Sequence, residues 1–271
     1  RRTFLLSGEE DFSHYKSMFY VKLAQKVMAY GWVLVAATAA SPLLDGSFFE
    51  KKQYDKDIFN GMASVRCGET GYWNFFTPVF DYSSMESYVD SMQYYVKEDW
   101  IKFPSELYYP VRVKPKGENT LENLKKNEVS HIELRVLDLN PFVECGIDIK
   151  DVKFAQLLLV WLACMPEREL SESAQVQAMQ HYKNAAHYDL KTVNVMLPDG
   201  TVYSVAEASE KIILKMQEFY KDFPKEIQEI LEFQREKFTD QSKRYSYQVR
   251  EQFGDTYVKK GLALAKKRAG K

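Results

Sequence analysis

The segment Ser130-His131-Ile132-Glu133-Leu134-Arg135-Val136 alternates strictly between side chains that can do chemistry and side chains that can only pack. Successive strand side chains point to opposite faces, so His131, Glu133 and Arg135 share one side and Ile132, Leu134 and Val136 the other. Asn140-Pro141 ends the run, because proline lacks a ladder donor and biases its predecessor away from helix. Taken alone, the pattern equally describes a half-buried strand whose charged side is wet. The other candidates are isolated arginines and tyrosines at turns and strand ends. The common signatures of chemistry are missing from the sequence: no G-x-x-x-x-G-K-[ST] phosphate loop, no G-x-G-x-x-G dinucleotide fingerprint, no H-E-x-x-H and no G-x-S-x-G.

A chain of 271 residues can bury a substantial core around such a strand. Its 37 lysines and arginines nearly balance 38 aspartates and glutamates, so no whole-chain field points to nucleic acid or a membrane surface. Three cysteines without metal-ligand spacing argue against a disulfide scaffold and a zinc site, and fit a reducing cytoplasm. The uncharged run 27–44 is compatible with a membrane span or a signal peptide, but Gly31, Thr38, Ser41 and Pro42 and the lack of a second basic flank favour a buried helix.

Around the opening strand, periodicity predicts a strand over 1–8, one helix over 12–40, a polar connection over 48–58 and a glycine-framed turn over 64–74. It then predicts a helix capped by Ser83 or Ser84 and ending at Lys97, a strand over 106–113 broken by Pro110, a solvated loop over 114–119 and a short helix over 121–126. Helices over 151–164, 171–186, 205–220, from Pro224 to Lys237 and over 254–269 follow, with a hairpin turn at Leu197-Pro198-Asp199-Gly200. No repeat or linker divides the chain, which reads as one domain spanning 1–271.

Three motifs in order, S-V-R-C-G-E-T-G-Y-W-N at 64–74, S-E-L-Y-Y-P-V-R at 105–112 and I-E-L-R-V-L-D-L-N-P-F-V-E-C-G-I at 132–147, resemble the glutamate–cysteine ligase (γ-glutamylcysteine synthetase) family. A-S-P at 40–42 and the helix beginning at Val152 are also similar, so the resemblance extends over most of the chain. It implies an α+β, glutamine synthetase-like fold in which an antiparallel sheet forms an active-site funnel backed by helices. It also implies ATP-dependent ligation of the L-glutamate γ-carboxylate to the L-cysteine amine through an acyl phosphate, the first step of glutathione biosynthesis, with Mg2+ neutralising the phosphates.

The resemblance carries roles onto particular residues. Glu133 matches the metal-binding glutamate, and its hard carboxylate oxygen suits magnesium beside phosphate. Arg135 matches the arginine at the transferring phosphoryl group, where a fixed, permanently charged fork can stabilise developing charge. Arg66 is suited to a substrate carboxylate or phosphate, and Tyr72 and Tyr108 match tyrosines near the cysteine-substrate pocket. Arg112 follows at family spacing without an assigned role, and Cys67 reads as a small loop residue because an acyl-phosphate route needs no enzyme thiol. The chain departs from the family pattern after Ser7-Gly8, where Glu9 replaces the x-His-x-Asn continuation, and lacks an N-terminal portion that carries further metal carboxylates. A γ-glutamyl ligase for another amine and a noncatalytic regulatory homologue are the competing expectations.

Overall fold

The computed structural model describes residues 2–48, 57–126 and 128–270, and the side chains of all of these except 2, 3, 48 and 255. In chain order the regular elements are α1 (Arg2–Ser7), α2 (Phe12–Tyr30), α3 (Trp32–Thr38), β1 (Leu43–Leu44), β2 (Ile58–Phe59), α4 (Met85–Lys97), β3 (Val111–Pro115), α5 (Leu121–Lys126) and β4 (Val129–Leu134). They continue with α6 (Ile149–Cys164), α7 (Glu172–Ala185), β5 (Asn194–Met196), β6 (Val202–Ser204), α8 (Val205–Phe219), α9 (Lys225–Thr239), α10 (Tyr245–Phe253) and α11 (Tyr257–Arg268). The strands pair antiparallel as β1–β2, β3–β4 and β5–β6, three two-stranded ribbons among the described residues, which makes the fold α+β. No helix among the described residues is long and apolar enough to cross a membrane.

Three expectations are corrected. The strand expected over 1–8 is the helix α1: a short apolar run such as Phe4-Leu5-Leu6 does not distinguish the two by period, and the Phe4 ring packs on Phe12 at 5.2 Å and Tyr15 at 5.4 Å. The single helix expected over 12–40 is two, parted at Gly31, whose N–H still bonds the Val27 carbonyl. The loop expected from Lys114 begins later, because Lys114 and Pro115 belong to β3. The polar connection expected over 48–58 falls almost wholly outside the described residues.

The chain divides into two compact units. The first comprises Arg1–Gly31, Trp73–Arg135 and Leu162–Met179. In it α2 packs on the β3–β4 ribbon and α4, burying Val21, Ala24, Val27 and Met28 with Tyr88, Val89, Val111, Val113 and Val129. Ser84 caps α4 by accepting the Ser87 N–H at 3.0 Å. The helix ends with Asp99 at φ 57°, in a left-handed position usually given to glycine, and the Trp100 N–H returns to the Tyr95 carbonyl at 3.0 Å. Gln175 crosslinks this unit, accepting the Phe80 N–H and donating to the Phe80 carbonyl, each at 2.8 Å.

The second unit comprises Trp32–Tyr72, Val136–Trp161 and Gln180–Lys271. Here α8 and α9 form an antiparallel pair that α3 packs against, with Trp32, Leu34, Ile212, Ile213, Met216, Ile230 and Leu231 buried. The Asp199-Gly200 turn closes the β5–β6 hairpin, and Ser204 with Glu207 forms the capping box that starts α8. Lys237 is fully buried, donating to the Asp151 carboxylate at 3.2 Å and the Ala37 carbonyl at 2.9 Å beneath the Tyr245 ring. Burial therefore pulls its ammonium down to about 8, against the Asp151 charge.

His181 makes the fold sensitive to acid. Its Nε2 accepts the Met196 N–H at 3.1 Å, and burial lowers its pKa to about 4 from the ordinary 6.5. The depressed folded-state value means that this stability is fully present above about pH 6.5 and is lost as pH falls towards 4. At pH 5 the loss amounts to about 2 kcal/mol. Urea unfolding of His181→Gln should accordingly show a shallower decline in stability between pH 7 and pH 5 than the parent protein; identical slopes would remove His181 as the cause.

Candidate active site

In the first unit, the antiparallel register sets Arg112 directly opposite Glu133 and Lys114 opposite His131. Direct partners project to the same face, so the ribbon presents two cations on β3 against an imidazole and a carboxylate on β4. The ladder of β4 ends at Leu134, yet the Arg135 N–H still bonds the Pro110 carbonyl at 2.9 Å and carries the alternation one residue further. Lys114 Nζ stands 3.3 Å from Glu133 Oε2. Arg112 donates through Nη2 to the Ser105 carbonyl at 2.7 Å and to the Leu107 carbonyl, and Arg135 Nη1 also reaches the Leu107 carbonyl at 3.3 Å. Burial, and then the like charge of Arg135, holds the Arg112 guanidinium below its ordinary range, with Glu133 opposing.

The ribbon thus gathers three fixed positive charges around one carboxylate, an arrangement built to receive an anion. Lys114 and Arg112 were absent from the residues assigned roles by motif; the alternation Val111-Arg112-Val113-Lys114, with valines buried and cations half-buried, was the available signal. Glu133 Oε2 is buried and makes no hydrogen bond. With only the Lys114 ammonium beside it, this buried carboxylate oxygen is a hard donor of the kind magnesium takes, one or two at a time beside substrate phosphates rather than as a full protein cage. Among the described residues no cluster of three or more His, Cys, Asp or Glu side chains could hold a metal ion. Glu133 thus offers one carboxylate to a metal, without a set of further protein ligands among the described residues.

Tyr108 lies next to this ribbon in an irregular segment, 37% exposed between the buried Leu107 and Tyr109. Its N–H donates to Asn74 Oδ1 at 2.8 Å, while Asn74 Nδ2 donates to the Glu106 carbonyl at 2.8 Å. Asn74 belongs to the first motif but carried no predicted role.

Arg66 and Tyr72 lie in the second unit, at the two ends of a tight loop. The Tyr72 N–H bonds the Arg66 carbonyl at 3.1 Å, and the Arg66 guanidinium stands 5.9 Å from the centroid of the exposed Tyr72 ring. The structure therefore brings Arg66 to Tyr72, and Tyr108, Arg112 and Lys114 to Glu133 and Arg135. The loop is anchored by Asp138, whose Oδ2 accepts from the Ala40 N–H (2.9 Å), the Ser41 N–H (3.1 Å) and Ser41 Oγ (2.7 Å), and whose Oδ1 accepts from Ser64 Oγ (2.9 Å). One buried carboxylate thereby ties together A-S-P, the start of S-V-R-C-G and the D of the strand motif. Burial pushes Asp138 up, against the pull of these donors. Cys67, buried beside it, has its thiol pushed up to about 12 by burial and then by the Asp138 charge, which agrees with a packing role.

Gly71 is demanded by close approach. A Cβ there would sit 2.0 Å from the Arg66 carbonyl oxygen, so the loop cannot close over any larger residue. Gly71→Ala should lower stability by about 2 kcal/mol in urea unfolding, whereas Gly261→Ala, with open space around its Cβ in α11, should be neutral or stabilising. Equal stability of the Gly71→Ala protein would show that the loop adopts another path.

The profile of the glutamate-cysteine ligase family matches residues 77–185, which include Tyr108, Arg112, Glu133 and Arg135. The glutathione biosynthesis bifunctional protein GshAB of Listeria monocytogenes is 29% identical over 97% of this chain and 37% of its own length, and that of Listeria welshimeri 30% identical over 88% and 32%. The chain thus spans about a third of the length of the curated relatives it matches. A solved glutamate–cysteine ligase from Francisella tularensis in complex with AMP superposes with a TM-score of 0.83 over 94% of this chain and 58% of its own, at 18% identity. A bifunctional glutathione synthetase from Pasteurella multocida gives 0.78 over 99% and 34%, at 22% identity. The strand motif, its ribbon and the profile match thus fall on the same residues, and the family that this chain resembles in sequence is the glutamate–cysteine ligase family.

Proposed function

We propose that this chain is the catalytic domain of a cytoplasmic, ATP-dependent ligase that joins the γ-carboxylate of L-glutamate to the amine of L-cysteine, supplying the dipeptide from which glutathione is made. The observation that carries this reading is the β3–β4 face, where Arg112, Lys114 and Arg135 surround Glu133 inside the family-matched segment. A glutamate γ-carboxylate oxygen attacks the γ-phosphorus of ATP, the bond to the β-phosphate oxygen breaks and ADP leaves. The cysteine amine, having lost a proton, then attacks the acyl carbon, and phosphate departs with the electrons of the C–O bond.

Arg135 stabilises the negative charge spread over the transferring phosphoryl oxygens, and Arg112 and Lys114 add to the field that holds it. Magnesium, when bound, would be held in part by Glu133 and would neutralise phosphate charge. Tyr108 orients the amine substrate, and Arg66 and Tyr72 recognise substrate through a carboxylate contact and an amphipathic ring. In this reading the β3–β4 ribbon is one wall of the sheet funnel expected of the fold. Full-length protein with ATP, magnesium and L-glutamate should release ADP and form a product of the mass of γ-glutamylcysteine when L-cysteine is present in a panel of amines. A product only with another amine would move the chain to a different γ-glutamyl ligase, and no ADP release with any amine would sink the enzymatic reading.

A further inference from the structure

The peptide joining Leu107 to Tyr108 is held at both ends by side chains rather than by a ladder. Its carbonyl accepts from Arg112 and, at 3.3 Å, from Arg135; its N–H is taken by Asn74 Oδ1 at 2.8 Å. Both ends of the Asn74 carboxamide are used, because Nδ2 donates to the Glu106 carbonyl at 2.8 Å, one peptide earlier. Asn74 therefore bridges two successive peptides 32 and 34 residues away along the chain. The Ser105 carbonyl is held independently by Arg112, and Leu107 and Tyr109 are buried on either side. The segment as a whole is thus anchored without Asn74. Asn74 holds the N–H end of the 107–108 peptide, which leads into the Tyr108 backbone, while Arg112 and Arg135 hold its carbonyl end.

We infer that Asn74 is a positioning residue that sets the acceptor-binding Tyr108 in register with the phosphoryl arginine Arg135, so that the amine meets the acyl phosphate before water does. The inference rests on the roles proposed above for Tyr108 and Arg135. A peptide bond is planar, so a turn of the 107–108 unit displaces its carbonyl and the Tyr108 Cα together. Without the Asn74 acceptor, the Tyr108 N–H turns to water and the plane is held from its carbonyl end only, so its N–H end can tilt about that anchor. A displacement on the order of 1 Å at a reacting pair is enough to weaken attack by about a hundredfold. The acyl phosphate then partitions towards hydrolysis: water attacks the acyl carbon, its proton passes to solvent, and glutamate and phosphate are released without ligation.

The test uses the full-length protein with ATP, magnesium, L-glutamate and L-cysteine, following ADP and dipeptide separately. Asn74→Ala should raise the KM for cysteine about tenfold, leave the KM values for ATP and glutamate within twofold, and raise the ratio of ADP released to dipeptide formed well above one. Asn74→Asp keeps the acceptor for the Tyr108 N–H and loses only the donor to Glu106, so it should fall between Asn74→Ala and the parent in both readouts. An unchanged ADP-to-dipeptide ratio in Asn74→Ala, or a uniform rise of all three KM values accompanied by a fall in thermal midpoint, would overturn the inference in favour of a purely structural bridge. Tyr108→Phe separates the two levels of argument. A raised cysteine KM in Tyr108→Phe with none in Asn74→Ala removes the Asn74 inference alone, whereas no change in either variant removes the assigned role of Tyr108 as well.

Discussion

Arg135→Ala is expected to lower kcat by about 10²–10³-fold while leaving the thermal midpoint nearly unchanged. On the role proposed for Arg135, the magnitude follows from removing a preorganised cation at the point where phosphoryl charge develops, an interaction stronger in the transition state than with bound substrate. The fold should survive because the Arg135 N–H bond to Pro110 is a backbone contact and remains available to any side chain, and Arg112 continues to hold the Leu107 carbonyl. Arg135→Lys should recover only part of the rate, since a point charge cannot reproduce the planar two-donor fork. Steady-state ADP release measured beside circular-dichroism melting decides the matter. Turnover close to the parent in a folded Arg135→Ala protein would take Arg135 out of the mechanism.

The largest expected effect on stability belongs to Asp138. Replacing it by alanine leaves the Ala40 N–H and the Ser41 and Ser64 hydroxyls without their buried acceptor, with a second bond, to Ala63, remaining only for the Ser41 N–H. Each orphaned group costs about 1–3 kcal/mol, so a loss of about 3–5 kcal/mol is expected. Asp138→Asn keeps one acceptor oxygen but turns an amide N–H towards donors, and should lie between the alanine variant and the parent. Denaturant titration gives the comparison. A change below about 1 kcal/mol in Asp138→Ala would mean that water replaces the carboxylate without strain.

These two residues mark where the sequence was legible. Arg135 announced itself because strand alternation is a local signal: the period placed it beside Glu133, and the structure sets the same face against Arg112 and Lys114. The Ser84 cap, the Asp199-Gly200 hairpin and the helices after residue 149 other than α10 (Tyr245–Phe253), for which no helix was expected, were readable for the same reason, each being decided within a few residues. Asp138 sat in the same motif, yet its function depends on donors 74 and 97 residues away, which no local pattern reveals. Asn74 was hidden in the same way, by partners 32 and 34 residues downstream. The N-terminal segment failed for a different reason. Arg-Arg-Thr-Phe-Leu-Leu is too short for its period to choose between strand and helix, and the outcome was set by Phe4 finding aromatic neighbours at Phe12 and Tyr15.

The burial of Cys67 has a consequence for oxidative chemistry. Thiol–disulfide exchange proceeds through the thiolate and needs access, and Cys67 has neither, with its pKa pushed up to about 12 and its side chain enclosed beside Asp138. Cys145 and Cys164, by contrast, are exposed. Under oxidant or in a pool of low-molecular-weight disulfides, mixed disulfides therefore form at those two surface positions first, and the loop that carries Arg66 and Tyr72 keeps its shape. Cys67 thus sits within the loop that runs from Arg66 to Tyr72 without exposing that loop to thiol–disulfide exchange.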